Sequence, residues 1–291
     1  MTTTHPDGRN PVGQLARQHP GFVKMGRAGW LAKGIVYLFA GVLALMVASK
    51  ASGWSNASSD TGNQEASPTG ALKTIAHATG GPLLMWLLAI GMLIYAAWRL
   101  VSAAMPGGTD AEAWAKRIGF VVSAIIYTTF AITAISLASS SPSADAGANG
   151  NSKVTSITAK IMEHSGGRWL IGIVGVIVIG AALYRVKKGV QQDVNDELDL
   201  SGMSAKRLRW TERFGRVGEI GRGVGIGLVG FFLLRAATTY DANEATGLDG
   251  ALRRLAENGW GVLVIVLVGL GFAAYGLFCT TTFTHRRLEA P

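Results

Sequence analysis

The residues in this chain whose type and spacing could do chemistry are cations set at the mouths of apolar stretches. Arg27-x-Gly29-x-x-x-Lys33-Gly34 and Arg216-x-Gly218-x-x-x-Arg222-Gly223 each run straight into such a stretch. A third copy keeps Arg117 and Gly119 but has Ser123 and Ala124 where the others carry a cation and a glycine. Lys33 and Arg222 hold equivalent positions, and with Arg27, Arg117 and Arg216 they would form a cytoplasmic cationic site for a phosphate or a carboxylate. The loss of a cation at Ser123 makes that site asymmetric. A competing use is anchoring: Lys33, Arg99, Arg185, Arg222 and Arg235 all fall within a turn or two of the end of an apolar run, where a long side chain reaches the headgroups. No ionisable residue is expected at the middle of a membrane.

Other chemistry finds little support. No nucleophile stands beside a base and no carboxylates are paired, so no catalytic residue is expected and the chain is not read as an enzyme. The five histidines, His5, His19, His77, His164 and His285, are not spaced as ligands, and Cys279 is the single cysteine, so neither a metal nor a cofactor is expected. Gly225-Ile-Gly227-Leu-Val-Gly230 fits the letters of a dinucleotide-binding turn. No strand precedes it and no acidic residue follows at the right distance, which removes that reading.

The elements that must position the cations repeat. Tyr37 and Tyr127 follow Arg27 and Arg117 at the same distance, and Gly91-x-x-x-Tyr95, Gly180-x-x-x-Tyr184 and Gly271-x-x-x-Tyr275 align with one another. One unit is therefore used three times. Tyr37, Tyr95, Tyr127, Tyr184 and Tyr275 read as interfacial or packing aromatics. Gly34, Gly91, Gly180, Gly221, Gly223, Gly225, Gly227 and Gly271 read as helix-packing positions, where a small residue lets a neighbouring backbone approach.

Between the two apolar stretches of a unit stand Gly70-Ala-Leu-Lys73-Thr-Ile75-Ala76 and Gly250-Ala-Leu-Arg253-Arg-Leu255-Ala256. Together with the opening cation-glycine motif and the closing Gly-x-x-x-Tyr, these elements resemble the DUF1206 family of bacterial membrane proteins. The likeness runs from about 26 to 283 and is weakest in the second unit. It implies three two-helix repeats in a membrane. The family has no assigned function, so no site residue follows from it.

Composition leads to the same class. Charged residues are 15% and hydrophobic ones 49% of 291 residues, against about 25% charged in a typical soluble protein. Six apolar stretches, near 28–48, 82–104, 118–138, 169–186, 218–240 and 259–283, approach the ~20 residues a helix needs to cross ~30 Å of hydrocarbon. The fourth is rich in β-branched residues, but an open strand in lipid would leave its backbone unpaired, so helix wins. The expected architecture is all-α: a polytopic integral membrane protein with six transmembrane helices as three parallel two-helix repeats. Its parts are a disordered tail over 1–21, repeats over 22–105, 111–190 and 213–284, a linker over 191–212 with an amphipathic helix capped by Ser204, and a tail over 285–291. Leu72, Ile75 and Ala76 add a short amphipathic turn at the membrane surface.

Most of the 27 Lys and Arg lie on the side of the two tails, which places both termini in the cytoplasm and the chain in the cell membrane. The net charge of +9 then needs no nucleic-acid partner. With small-residue helix faces, a charged linker and no ionisable group at mid-membrane, the sequence favours a non-catalytic structural or partner-binding role. The partners expected are the lipid bilayer and a homo-oligomer or another membrane protein. The alternative is a small transporter or channel for an anionic or small solute, built from the internal repeats.

Overall fold

The computed structural model describes residues 20–52, 67–77, 79–104, 111–139, 150–191 and 203–283. The tail readings, apart from residues 20 and 21, and residues 192–202 of the linker lie outside the described residues. Among the described residues the chain is helical without a strand. Its helices are α1 (Pro20–Ala51), α2 (Pro68–Ala76), α3 (Gly81–Ala104), α4 (Ala111–Ser139), α5 (Gly150–Met162), α6 (Gly167–Gln191), α7 (Ala205–Thr239), α8 (Leu248–Ala256) and α9 (Gly261–Thr282). Six of these, α1, α3, α4, α6, α7 and α9, are long and apolar enough to cross a membrane.

The amphipathic segment expected in the linker is no separate element. It forms the first turns of the 35-residue α7, which starts where the backbone N–H of Arg207 donates to the Ser204 hydroxyl at 3.4 Å. No proline interrupts 205–239, so the helix runs from the polar stretch into the apolar one without a break.

Each unit is a long helix, a short helix and a second long helix: α1–α2–α3, α4–α5–α6 and α7–α8–α9. The corner after each short helix is tight enough to demand glycine. Gly80 and Gly166 adopt φ of 78° and 86°. A side chain on Gly81, Gly167 or Gly261 would run into the carbonyl of Ala76, Ile161 or Leu255. This end of the bundle, the hairpin end, is tied down by ion pairs. Glu244 takes both Arg235, at 3.2 Å, and Arg254, while Asp249 accepts from Arg253 at 2.9 Å. Arg235, expected to anchor in headgroups, is thus held at this end by Glu244.

Packing between units follows a rule. The second long helix of each unit lies on the first long helix of the next: α3 on α4, α6 on α7, and α9 back on α1. Within the first and third units the two long helices also meet, α1 with α3 and α7 with α9. In the middle unit α4 and α6 form no packed seam among the described residues. The six long helices therefore pack in the order α4, α3, α1, α9, α7, α6, with α4 and α6 at the two ends of the series.

Candidate functional site

The site begins with glycines that draw α7 onto α9. Gly221 lies against Gly271, and a Cβ on Gly218 would stand 2.7 Å from the Cα of Tyr275. Gly271 is ten residues from Gly261 and eleven from Thr282, so at 1.5 Å per residue the crossing is about 15 Å from either end of α9. Arg222 follows Gly221 and is carried into the interior at this level. The expectation that it lies near a span end is corrected. Hydropathy starts the fifth span at about Gly218, yet the polar turns before it pack beside α9 as well, and Arg207 Nη2 donates to the carbonyl of Thr281 at 3.0 Å.

Arg222 Nη1 donates to Glu219 Oε1 at 3.1 Å, and Arg185 Nη1, from α6, donates to Glu219 Oε2 at 3.0 Å. The side chains of Arg222 and Glu219 are 7% and 9% exposed, and that of Arg185 is 34% exposed. The guanidinium carbon of Arg222 sits 3.9 Å from the centre of the Tyr275 ring and 5.0 Å from that of Tyr37. Its Nε has no hydrogen-bond partner among the described residues. Two guanidinium groups thus share one carboxylate in the interior, and one N–H is left over.

Lys33, the repeat-equivalent cation on α1, does lie about a turn inside its span, which starts at Gly29, but its side chain is buried rather than reaching the headgroups. Its Nζ stands 3.5 Å from the Tyr95 hydroxyl and 4.6 Å from the Trp30 ring centre, with the rings of Tyr275, Tyr95 and Tyr127 at 5.2, 5.3 and 5.4 Å. Tyr275 is in reach of both cations. The Tyr95 hydroxyl also accepts from Arg99 Nη2 at 2.6 Å. Aromatic faces attract cations, by about 2 kcal/mol where water is excluded, which offsets part of the cost of keeping charge in an apolar interior.

Four of the five tyrosines read as interfacial, Tyr37, Tyr95, Tyr127 and Tyr275, are drawn together around these cations, with ring centres 4.7 Å apart for Tyr95 and Tyr127 and 5.1 Å for Tyr37 and Tyr275. The fifth, Tyr184, is 66% exposed, against 1% for Tyr95 and 2% for Tyr275. The remaining cations of the motif do not join the cluster. Arg216 donates to the carbonyls of Gly189 and Val190 at the end of α6, Arg117 lies over Trp114, and Arg27 is half-buried with its Nε unpartnered among the described residues.

Seven of the eight packing glycines do pack. Gly221 meets Gly271, Gly34 faces Cys279, Gly91 backs Gly29, Gly223 faces Ala182, Gly225 faces Phe272 and Gly227 faces Ala182. Gly180 does not: among the described residues nothing lies within 4 Å of where its Cβ would be. Glu219 is the site residue that sequence reasoning missed. The signal was available, since Glu219 and Arg222 are an i, i+3 pair of opposite charges at the head of an apolar run.

These features define a class: a six-span helical membrane protein of three two-helix repeats with a charged, tyrosine-lined interior. Within that class, the family profile described as Domain of Unknown Function (DUF1206) matches residues 28–105, 118–192 and 217–282, and the chain belongs to that family. The matched segments coincide with the three units. An uncharacterized protein YxxB of Bacillus subtilis (strain 168) is 31% identical over 262 residues, which is 89% of each chain. No solved structure matches this chain.

Proposed function

We propose that this protein is a non-catalytic membrane carrier for a small acid, which it holds between Arg222 and Arg185 with Lys33 close by. The observation that carries this reading is the interior cluster itself: among the described residues Arg185 and Arg222 share Glu219 alone in their ion pairs, and Arg222 Nε has no partner. Ionisable groups deep in a membrane bundle are costly and mark solute paths by default. A guanidinium with a spare N–H recognises an oxyanion, carboxylate or phosphate alike.

A purely structural or partner-binding role rested on an interior free of such groups, and Lys33, Glu219 and Arg222 take that ground away. The bias of Lys and Arg toward the end holding both described chain ends supports a cytoplasmic position for that end, in the cell membrane. In this orientation the ion pairs at the hairpin end face the far side of the membrane, and solute would reach the cluster from the cytoplasmic half.

The test is uptake into proteoliposomes. Wild-type protein should move a labelled carboxylate or phosphate, and Arg222→Gln should abolish uptake while leaving the thermal transition of the protein cooperative. Absence of uptake with every acid tried, or uptake indifferent to Arg222→Gln, would overturn the carrier reading.

A further inference from the structure

We propose that the acid is taken up together with one proton: it binds between Arg185 and Arg222 in place of the Glu219 carboxylate, and Glu219 leaves that pair as a neutral, protonated side chain. The inference rests on the anion reading above and adds what binding at that site is coupled to.

The ion pair already shows how the two arginines hold an acid. One oxygen of Glu219 accepts from Arg222 at 3.1 Å and the other from Arg185 at 3.0 Å, so a single carboxylate bridges α6 and α7. With Glu219 9% exposed and Arg222 7% exposed, there is little water to replace either partner. Within the six spans the one other carboxylate among the described residues is Glu212, which precedes Glu219 on α7 by about 10 Å along the axis. Asp241, Glu244 and Asp249 lie at the hairpin end with Arg235, Arg253 and Arg254. Arg235 itself is about 24 Å beyond Glu219 along α7.

The groups that face Glu219 are cations and phenols. Arg222 stands on its own helix, Arg185 and Lys188 on α6, Lys33 on α1 and Tyr275 on α9, while Tyr37 of α1 and Tyr127 of α4 face Arg222 in turn. Arg216, also on α7, is turned to the carbonyls of Gly189 and Val190. What keeps a carboxylate charged in such a place is its guanidinium partners. An incoming anion takes those partners, and two acidic groups sharing one site hold a proton between them.

The charge of the array is then the same before and after. With Glu219 bridging, two guanidinium groups face one carboxylate; with the acid bridging and Glu219 protonated, they again face one anion. An anion bound without the proton would change the net charge of a largely buried array, which an apolar interior opposes. For an undissociated carboxylic acid the step balances directly: its O–H bond breaks, an O–H bond forms on a Glu219 oxygen, and the acid is left as the bridging carboxylate. For an anion arriving from solution, hydronium supplies the proton.

The experiment uses the full chain in an uncharged maltoside detergent with two monoanions, butyrate and methanesulfonate, neither of which titrates between about pH 6.5 and 8.5. Proton uptake on binding is read with a pH electrode in weakly buffered solution, and affinity by calorimetry across that range. Wild type is expected to take up about one proton per anion bound, with affinity falling up to about tenfold for each unit rise in pH. Glu219→Gln should bind the same anions with no proton uptake and no pH dependence. Wild type should also gain the infrared C=O band of a protonated carboxyl when methanesulfonate binds, since that ligand has no carboxyl of its own; this measurement serves if the variant misfolds. Anion binding to wild type without proton uptake, or without that band, overturns the coupling and leaves the anion site standing. Equal uptake in Glu219→Gln places the proton on another group and overturns the coupling too. Binding of neither anion overturns both the coupling and the anion site.

Discussion

Gly29, Gly119 and Gly218 occupy the same position in three copies of one motif, and their replacement by alanine should give three results of two kinds. At Gly29 the new Cβ would stand 2.7 Å from Tyr95 Cβ and 2.9 Å from the Gly91 carbonyl oxygen. At Gly218 it would stand 2.7 Å from Tyr275 Cα and 2.8 Å from Tyr275 N, so backbone is what must give way. Carbon pairs rest at about 3.5–4.0 Å, so α1 and α3, or α7 and α9, would have to part by roughly 1 Å. Overpacking of this kind costs about 1–3 kcal/mol. Alanine in a helix returns up to about 1 kcal/mol through its higher propensity. The net expectation is a loss of about 1–2 kcal/mol at Gly29 and Gly218. At Gly119, with nothing to meet, only the propensity gain of up to about 1 kcal/mol remains. The assay is thermal unfolding followed by tryptophan fluorescence in lipid nanodiscs, with Gly119→Ala at or above wild type and the other two well below. A drop for Gly119→Ala equal to theirs would refute the reasoning, since it would mean that α4 and α6 meet as the other pairs do.

Three other outcomes are expected. Glu219→Gln removes the one carboxylate that Arg185 and Arg222 share, and should lower stability by about 3–5 kcal/mol, as breaking a buried pair does; a shift under 1 kcal/mol in the same nanodisc assay would show the two guanidinium groups to be independent of it. Arg216→Ala frees the carbonyls at the end of α6 and should raise amide hydrogen exchange there, with a modest loss of about 0.3–1 kcal/mol. A fluorescent protein fused after Pro291 should be bright in bacterial cells if that end is cytoplasmic, and dark if it is not.

The repeats and the six spans were legible in the sequence because each rests on a local rule. Glycine and tyrosine recur at fixed offsets, and an apolar run of membrane length has one stable conformation in lipid. The depth of Arg222 and the burial of the Lys33 side chain were not legible. Arg222 and Glu219 themselves cut the apolar run short, so hydropathy set the span boundary beside them, while α9 carried the true frame and runs on past Tyr275 to Thr282. The clustering of Tyr37, Tyr95, Tyr127 and Tyr275 needed the same tertiary frame, because it joins helices from all three units. The missing contact between α4 and α6 could not be read either. Gly119, Gly180 and Tyr184 keep their motif positions, and only the lack of a neighbour among the described residues sets them apart from Gly29, Gly91 and Tyr95. The exchange at Ser123 and Ala124 was the one trace of that difference along the chain.

The account turns on an acid occupying the space beside Arg222, and the most direct measurement is ligand affinity in wild type, Arg222→Gln and Glu219→Gln. A bound anion competes with Glu219 for the same guanidinium groups, so removing that carboxylate should tighten inorganic phosphate binding at least tenfold, and removing Arg222 should abolish it. Equal affinity in all three proteins, or weaker binding in Glu219→Gln than in wild type, would contradict an anion site at this cluster.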